Sequence, residues 1–386
     1  MRIRYGMVGG GPGAFIGKVH RMAAALDGHY ELVAGAFSSD PVKSRQAGDE
    51  LGIANSRVYD SFEEMARAEA TLPAPERIEL VTIVTPNHLH HRVAMAFLAT
   101  DIHVICDKPL TTTLADAEEL CRQATERDLV FCVTHNYSGY PMVKEARERV
   151  HSGELGDIRR IVVEYSQGWL ATLLEAEGHK QATWRTDPER AGASSALGDI
   201  GTHAHHLAGY VTGLEADEVF ADVGTLVEGR VLEDDATVIV RYEGGVRGLI
   251  TASQVSAGER NHLRLRVYGS AGGLDWSQEQ PDRLRLLLAD GSERILHDGI
   301  AGLSERATAH QRLPAGHPEG FIEAFANLYR NVARTLDARA GRAAGRPFDD
   351  DFPTVQDGAR GVFFVENALR SASSGAWVPA TYEPPA

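Results

Sequence analysis

The stretch VGGGPGAFIGKVH, residues 8–20, constrains this chain most. It follows a short apolar run, IRYGMV at 3–8, and leads into a helical pattern. Glycines let a strand-to-helix turn tighten and let the backbone approach a ligand closely. The helix that follows offers free N–H groups and the positive end of its dipole, which suits a pyrophosphate. Gly9 and Gly11 take the first two positions of a G-x-G-x-x-G string, whereas Gly17 arrives late, as though PGAF were inserted. An isolated match of this kind also fits an ordinary glycine-rich turn, so the rest of the chain decides.

The first third alternates short apolar runs with amphipathic stretches. Strands are expected at 3–8, 31–37, 80–84, 102–106 and 129–133, with helices near 18–26, 62–68, 89–99 and 114–126. Ser61 with Glu64 reads as a capping box, and Thr113 as an N-cap. Strands apolar on both faces predict a parallel sheet covered by helices on both sides. Residues 1–134 therefore read as a doubly wound dinucleotide-binding domain, and 135–386 as a second domain. In the latter, strand-like runs follow one another at 158–166, 218–227, 236–243, 246–254 and 261–268. Gly244-Gly245 fits a two-residue hairpin turn between two of them. Helices are expected at 139–152, 198–212 and 319–337, the last with Phe321, Phe325, Leu328, Val332 and Leu336 on one stripe. The expected class is α/β: a Rossmann-type parallel sheet, then an α+β domain on an open, mostly antiparallel sheet.

A chain of 386 residues exceeds one average domain. The net charge of −15 argues against partners with phosphate backbones and against anionic membrane surfaces. Cys106, Cys121 and Cys132 form no CxxC and leave an odd count, which predicts reduced thiols rather than a disulfide framework. No apolar run is long enough to span a bilayer, and no signal-peptide pattern opens the chain. A cytoplasmic protein is expected.

Ligands in open α/β sheets bind beyond the carboxyl ends of the strands. The second strand ends in FSSDPVKSR, where an NAD-specific domain usually places an acid for the ribose 2′-hydroxyl. Ser38 stands there, with Lys43 and Arg45 shortly after, so a 2′-phosphate is acceptable; Asp40 keeps the ribose contact open. The cofactor is NAD or NADP, with a lean towards NADP tolerance. In TPNHLHH, residues 85–91, Asn87 can cap the next helix, and Thr85 and Pro86 can pass under a cofactor. His88, His90 and His91 lack a partner at ligand spacing, so no metal is expected there. CDKPL, 106–110, places Lys108 at a strand end facing the cleft, where it can polarise or protonate a substrate oxygen.

In GDIGTHAHHL, 198–207, Asp199 and His203 are four apart and share a helix face, with His206 three further on the same side. A carboxylate beside an imidazole holds its tautomer and raises its basicity, as a general base needs. A solvated helix face, or a zinc site from Asp199, His203 and His206, fits the spacing too. Trp184 and Arg185 of WRTDP suit a hydroxylated ligand, although buried packing fits them equally.

Taken in order, the glycine loop, TPNHLH, CDKPL, WRTDP and GDIGTH resemble the glucose–fructose oxidoreductase / inositol dehydrogenase / rhizopine-catabolism (Gfo/Idh/MocA) family over roughly residues 3–330. The resemblance implies hydride transfer between a nicotinamide cofactor and a cyclitol, sugar or glycoside carbon. It implies dimers or tetramers joined through the face of the second sheet. The family's E-K-P lysine falls on Lys108, preceded here by Asp107 instead of Glu, and its D-x-x-x-H pair on Asp199 and His203. It implies that His203 is the base, that Asp199 orients it and that Lys108 assists. Gly9, Gly11 and Gly17 then serve the phosphate loop, and Thr85, Pro86, Asn87 and His90 lie near the cofactor. Where many members carry Arg after the fifth strand, this chain reads THNYSGYP. A non-catalytic nicotinamide-binding sensor and a metal-dependent hydrolase or isomerase are the competing readings.

Overall fold

A computed structural model describes residues 2–385. Five parallel strands, β1 (Ile3–Gly9), β2 (Tyr30–Ala36), β3 (Leu80–Val84), β4 (His103–Cys106) and β5 (Phe131–Val133), form a sheet of order β2-β1-β3-β4-β5. Helices α1 (Phe15–Leu26), α2 (Pro41–Glu50), α3 (Phe62–Thr71), α4 (His90–Leu98) and α5 (Leu114–Glu126) alternate with them. Every residue of β3 is buried, as expected of a strand covered on both faces. Ser61 Oγ accepts from the Glu64 N–H, but the Glu64 carboxylate takes the Asp60 N–H rather than completing a box with Ser61. Thr113 caps α5. Helix α2 was not expected. It has no apolar stripe, and it forms because Asp40 caps it and Pro41 starts it.

The second half carries α6 (Pro141–His151), β6 (Ile158–Ser166), the short helices α7 (Lys180–Arg185) and α8 (Pro188–Ala191), and a π-helical turn at Leu197–Gly201 running into α9 (Thr202–Thr212). Strands β7 (Ala216–Gly224), β8 (Asp235–Tyr242), β9 (Arg247–Ser253), β10 (His262–Gly269), β11 (Gly272–Ser277), β12 (Arg283–Leu288) and β13 (Glu293–His297) follow. Then come α10 (Glu305–Ala309), α11 (Phe321–Arg339), α12 (Val355–Ser374) and β14 (Val378–Pro379). The nine-stranded sheet has the order β13-β12-β11-β10-β6-β9-β8-β7-β14. It is antiparallel except where β6 pairs with β9. Gly244 and Gly245, both at positive φ, turn β8 into β9, but the loop is Glu243–Gly245, closed by Tyr242 N–H on Val246 O, one residue longer than the two-residue turn expected. Strands β11 to β14 and helix α12 extend the sequence reading.

One face of the large sheet packs on α6, α9 and α12. The stripe on α11 faces the other way: Phe325, Leu328, Val332 and Leu336 are buried with Val19 and Ala23 of α1. The chain then returns to the parallel sheet, where Val133 N–H donates to Pro353 O. The late helices thus clamp the first sheet and set its carboxyl edge against the second domain. All three cysteines are buried and free. Among the described residues no helix is long and apolar enough to cross a membrane.

Candidate active site

A cleft of about 1330 Å³ runs from the glycine loop, across the ends of the parallel strands, to the second sheet. Gly9 has φ +84°, and a β-carbon on it would stand 2.8 Å from the Val84 carbonyl oxygen. One on Gly11 would stand 2.7 Å from the Phe37 oxygen. Gly17, in the first turn of α1, lies against Gly10, where a β-carbon would be 2.5 Å from the Gly10 Cα. Gly17 therefore seats the helix on the loop rather than lining the cleft. Ser38, Lys43, Thr85, Asn87 and Lys108 line it. Asp40 commits its carboxylate to the Val42 and Lys43 N–H groups and does not line it. A backbone cradle that any side chain would fill, opening on an elongated cleft, fits a dinucleotide.

Lys108 follows β4. Asp107 Oδ1 holds that turn by accepting from Lys108 N (2.8 Å) and Thr134 Oγ1 (3.0 Å). The Lys108 ammonium donates to Asp199 Oδ1 (2.6 Å) and to the Asp199 main-chain oxygen (2.7 Å). Asp199 Oδ2 accepts from Gln254 Nε2 (2.9 Å) and Arg185 Nε (3.3 Å). Burial alone would raise the Asp199 carboxyl, but the Lys108 and Arg185 cations outweigh it and hold it below the usual carboxylate range. The turn bearing Asp199 is anchored from beneath. Buried Glu233 accepts from Ser194 Oγ (2.7 Å), Ser195 N (2.8 Å) and Leu197 N (3.0 Å).

His203 lines the cleft from α9 and is 6% exposed. Burial, then the nearby Lys108 charge, push its imidazole well below the ordinary value, so it is neutral; this is the reverse of the raised basicity expected from a carboxylate partner. Its Nδ1 is fully buried with no hydrogen-bond partner among the described residues, which leaves Nε2 for the cleft. The expected Asp199–His203 hydrogen bond is not among those of the described residues. Both Asp199 oxygens are already taken by Lys108, Arg185 and Gln254, whose charge and geometry compete better than a neutral ring. Instead the His203 ring packs edge-on against Tyr137 (centroids 4.8 Å apart) and His135 (5.5 Å).

Two other expected positions differ. His90 is buried beneath the cleft, with Nδ1 2.8 Å from Pro109 O and Nε2 2.9 Å from Thr85 O. It fastens the β3 loop to the Lys108 turn and is not part of the cleft lining, because both ring nitrogens face backbone. His206 does not line this cleft. One helical turn past His203 points it behind His135, into a separate cavity. Trp184 and Arg185 do line the cleft, with the guanidinium 4.3 Å over the Trp184 ring and 6.0 Å from Trp169.

The sequence reading missed one wall. Tyr137 and Tyr165 share a short hydroxyl–hydroxyl contact. Asn261 Oδ1 accepts from Tyr165 OH (2.7 Å) and Gln167 Nε2 (2.7 Å), and Gln167 Oε1 accepts from Trp169 Nε1 (2.9 Å). This wall is aromatic and amide in character and offers uncharged hydrogen-bonding groups. The available signal was positional: Tyr137 follows β5, and Tyr165 and Gln167 end β6.

Fold and cleft together define an NAD-binding oxidoreductase. Residues 3–135 match the oxidoreductase-family model with an NAD-binding Rossmann fold, and residues 143–275 match the GFO/IDH/MocA C-terminal domain. The chain belongs to the Gfo/Idh/MocA family. It is similar to the crystal structure of an oxidoreductase from Sinorhizobium meliloti (46% identity, TM-score 0.87, 98% of this chain and 99% of that one). It is also similar to an inositol dehydrogenase homologue from Azotobacter vinelandii complexed with NADH and myo-inositol (35% identity, TM-score 0.91, 98% of each chain). A levoglucosan dehydrogenase from Pseudarthrobacter phenanthrenivorans is 27% identical over 74% of this chain and 76% of that protein.

Proposed function

We propose that this protein is a dehydrogenase that oxidises a secondary hydroxyl of a cyclitol, sugar or glycoside. The observation that carries this reading is the pairing of neutral, cleft-lining His203 with a Lys108 ammonium fixed on Asp199, beside the glycine cradle. The nicotinamide, when bound, supplies the hydride acceptor. Gly9 and Gly11 admit the pyrophosphate, Thr85 and Asn87 border the middle of the cleft, and Ser38 with Lys43 supports tolerance of a 2′-phosphate. His203 Nε2 accepts the hydroxyl proton, and Lys108 Nζ steadies the oxygen as it gains charge. Asp199 holds Lys108 in place rather than orienting His203. Trp184, Arg185 and the amide-lined wall receive the other hydroxyls. Residues 1–134 form the cofactor domain and the remainder the substrate domain. A homodimer or homotetramer through the open face of the large sheet accords with exposed Ile239 and Ile295 there, and a cytoplasmic site with the three free thiols.

The test is the near-ultraviolet absorbance of reduced nicotinamide when protein is mixed with NAD⁺ or NADP⁺ and a panel of cyclitols, aldoses and alkyl glycosides. A rise that survives chelation supports the reading. Cofactor binding with no rise on any polyol favours the sensor reading instead.

A further inference from the structure

Behind the cleft lies a second cavity of about 490 Å³, bordered by Arg147, His206, Tyr210, Asp351 and Arg360. His135 lies between a residue of each lining, His203 of the cleft and His206 of the rear cavity. His135, 1% exposed, has its ring edge-to-face with His203 at 5.5 Å and stacked on His206 at 4.5 Å, with 10° between the planes. Among the described residues neither His135 ring nitrogen has a hydrogen-bond partner, and His203 Nδ1 has none either. Buried polar atoms without partners are rare, and each needs a water or a reason. On this side α12 presents Gly361, where a β-carbon would stand 2.6 Å from Thr202 Oγ1 and 3.8 Å from His135 Nε2, so only a residue without a side chain keeps the gap between Thr202 and His135 open.

We propose that His203, His135 and His206 form a water-bridged column that carries the substrate's proton out of the cleft to the rear cavity. This rests on the dehydrogenase reading above. Once a dinucleotide and a polyol fill the cleft, the route from His203 back through its mouth is closed. The substrate O–H bond breaks as an N–H bond forms at His203 Nε2, and the hydride goes to the nicotinamide. His203 Nδ1 then releases its proton through water to His135, which passes one on through His206 to solvent. One proton enters and one leaves, each ring ends neutral, and reorientation restores the tautomers. Lys108 and the Asp199 carboxylate face His203 from the cleft side, and Lys108 and His205 face His135. Asp357 and Asp351 face His206 from the rear, together with Lys144 and Arg147. His135 and His206 are positioning residues, since neither touches the substrate.

The test uses the full chain loaded with NAD⁺ and labelled with ¹⁵N-histidine. The solvent-exchange rate of the His203 ring N–H is measured by NMR in wild type, His206→Asn and Gly361→Ala. We expect exchange at least tenfold slower in both variants, with NAD⁺ affinity unchanged. The two variants act at different points, so one that misfolds leaves the other. Exchange at the wild-type rate in the folded variant overturns the column. In parallel, turnover of myo-inositol by His206→Asn should fall about tenfold in kcat at constant KM and recover when imidazole is added. An unchanged kcat, or no imidazole recovery, also overturns it. A wild-type protein inactive on every polyol defeats the dehydrogenase reading instead, and the exchange result still judges the column.

Discussion

The Lys108 ammonium lies between two oxygens of a single residue, 2.6 Å from Asp199 Oδ1 and 2.7 Å from the Asp199 main-chain oxygen. The lysine ends a strand of the parallel sheet and the aspartate sits on the wide turn before α9. The contact therefore joins the two halves of the chain at the cleft. Removing either partner leaves the other charge poorly compensated in a partly buried place.

Replacing His203 or Lys108 by Ala should lower kcat by roughly two orders of magnitude or more while NAD⁺ affinity stays within a few-fold. Tryptophan fluorescence quenching measures the binding and steady-state kinetics the turnover. Unchanged turnover in both variants would remove the catalytic assignment.

Stability should fall in mild acid. Burial pushes His205 down to about 3 and His206 down to about 4 from an ordinary 6.5. Below pH 6.5 the unfolded chain takes up protons that the folded one refuses. The stabilisation is therefore full above 6.5 and is lost as pH falls towards the folded values. Each histidine costs about 1.4 kcal/mol per pH unit inside its window. Asp199 has the carboxylate sign: its contribution is present above its unfolded value and is lost further into acid. Urea unfolding at pH 7.5 and pH 5 should show the histidine effect, and His206→Asn should flatten it.

Gly9→Ala should abolish NAD⁺ binding, because the new methyl group meets the Val84 carbonyl at a positive φ. Gly17→Ala should weaken binding less directly, by lifting α1 off Gly10. Calorimetric titration with NAD⁺ distinguishes both from wild type, and equal affinities would contradict the cradle.

Glu233→Ala leaves the Ser195 and Leu197 N–H groups without their acceptor at the start of the Asp199 turn. A loss of about 2 kcal/mol is expected, with kcat reduced as Asp199 and Lys108 lose register. Glu233→Gln, which keeps an acceptor oxygen, should recover most of both. Denaturant midpoints and kcat report this together.

Lys43 lies on the cleft wall, its ammonium in an exposed contact with Asp40 at 3.7 Å. Lys43→Ala should raise KM for NADP⁺ severalfold and leave KM for NAD⁺ nearly unchanged. Equal effects on the two cofactors would count against a 2′-phosphate contact.

What was legible in the sequence was local. The glycine loop, the alternation of strands and helices, the Ser61 and Thr113 caps and the Gly244-Gly245 turn each depend on neighbours a few residues away. Lys108, Asp199 and His203 could be named because strand ends and helix faces are periodic features. Helix α2 escaped notice because capping, not an apolar stripe, defines it. Strands β12 and β13, at one end of the large sheet, escaped because they are short and rich in charge.

Which oxygen meets which nitrogen was decided by tertiary structure. Asp199 and His203 share a helix face on paper, yet Lys108, 91 residues away, takes the carboxylate, because a cation outcompetes a neutral imidazole. His90 and His206 have the residue type of ligand contacts. Packing turned the first onto backbone carbonyls and the second onto His135. The wall of Tyr137, Tyr165, Gln167 and Asn261 draws on three separate stretches of chain, and no spacing rule could have gathered it. Periodicity gives the elements and their buried faces from sequence alone, because it is set by bond geometry within each element. The site's hydrogen-bond pattern comes from competition among groups distant in sequence, and that competition is settled only when the two domains close on each other.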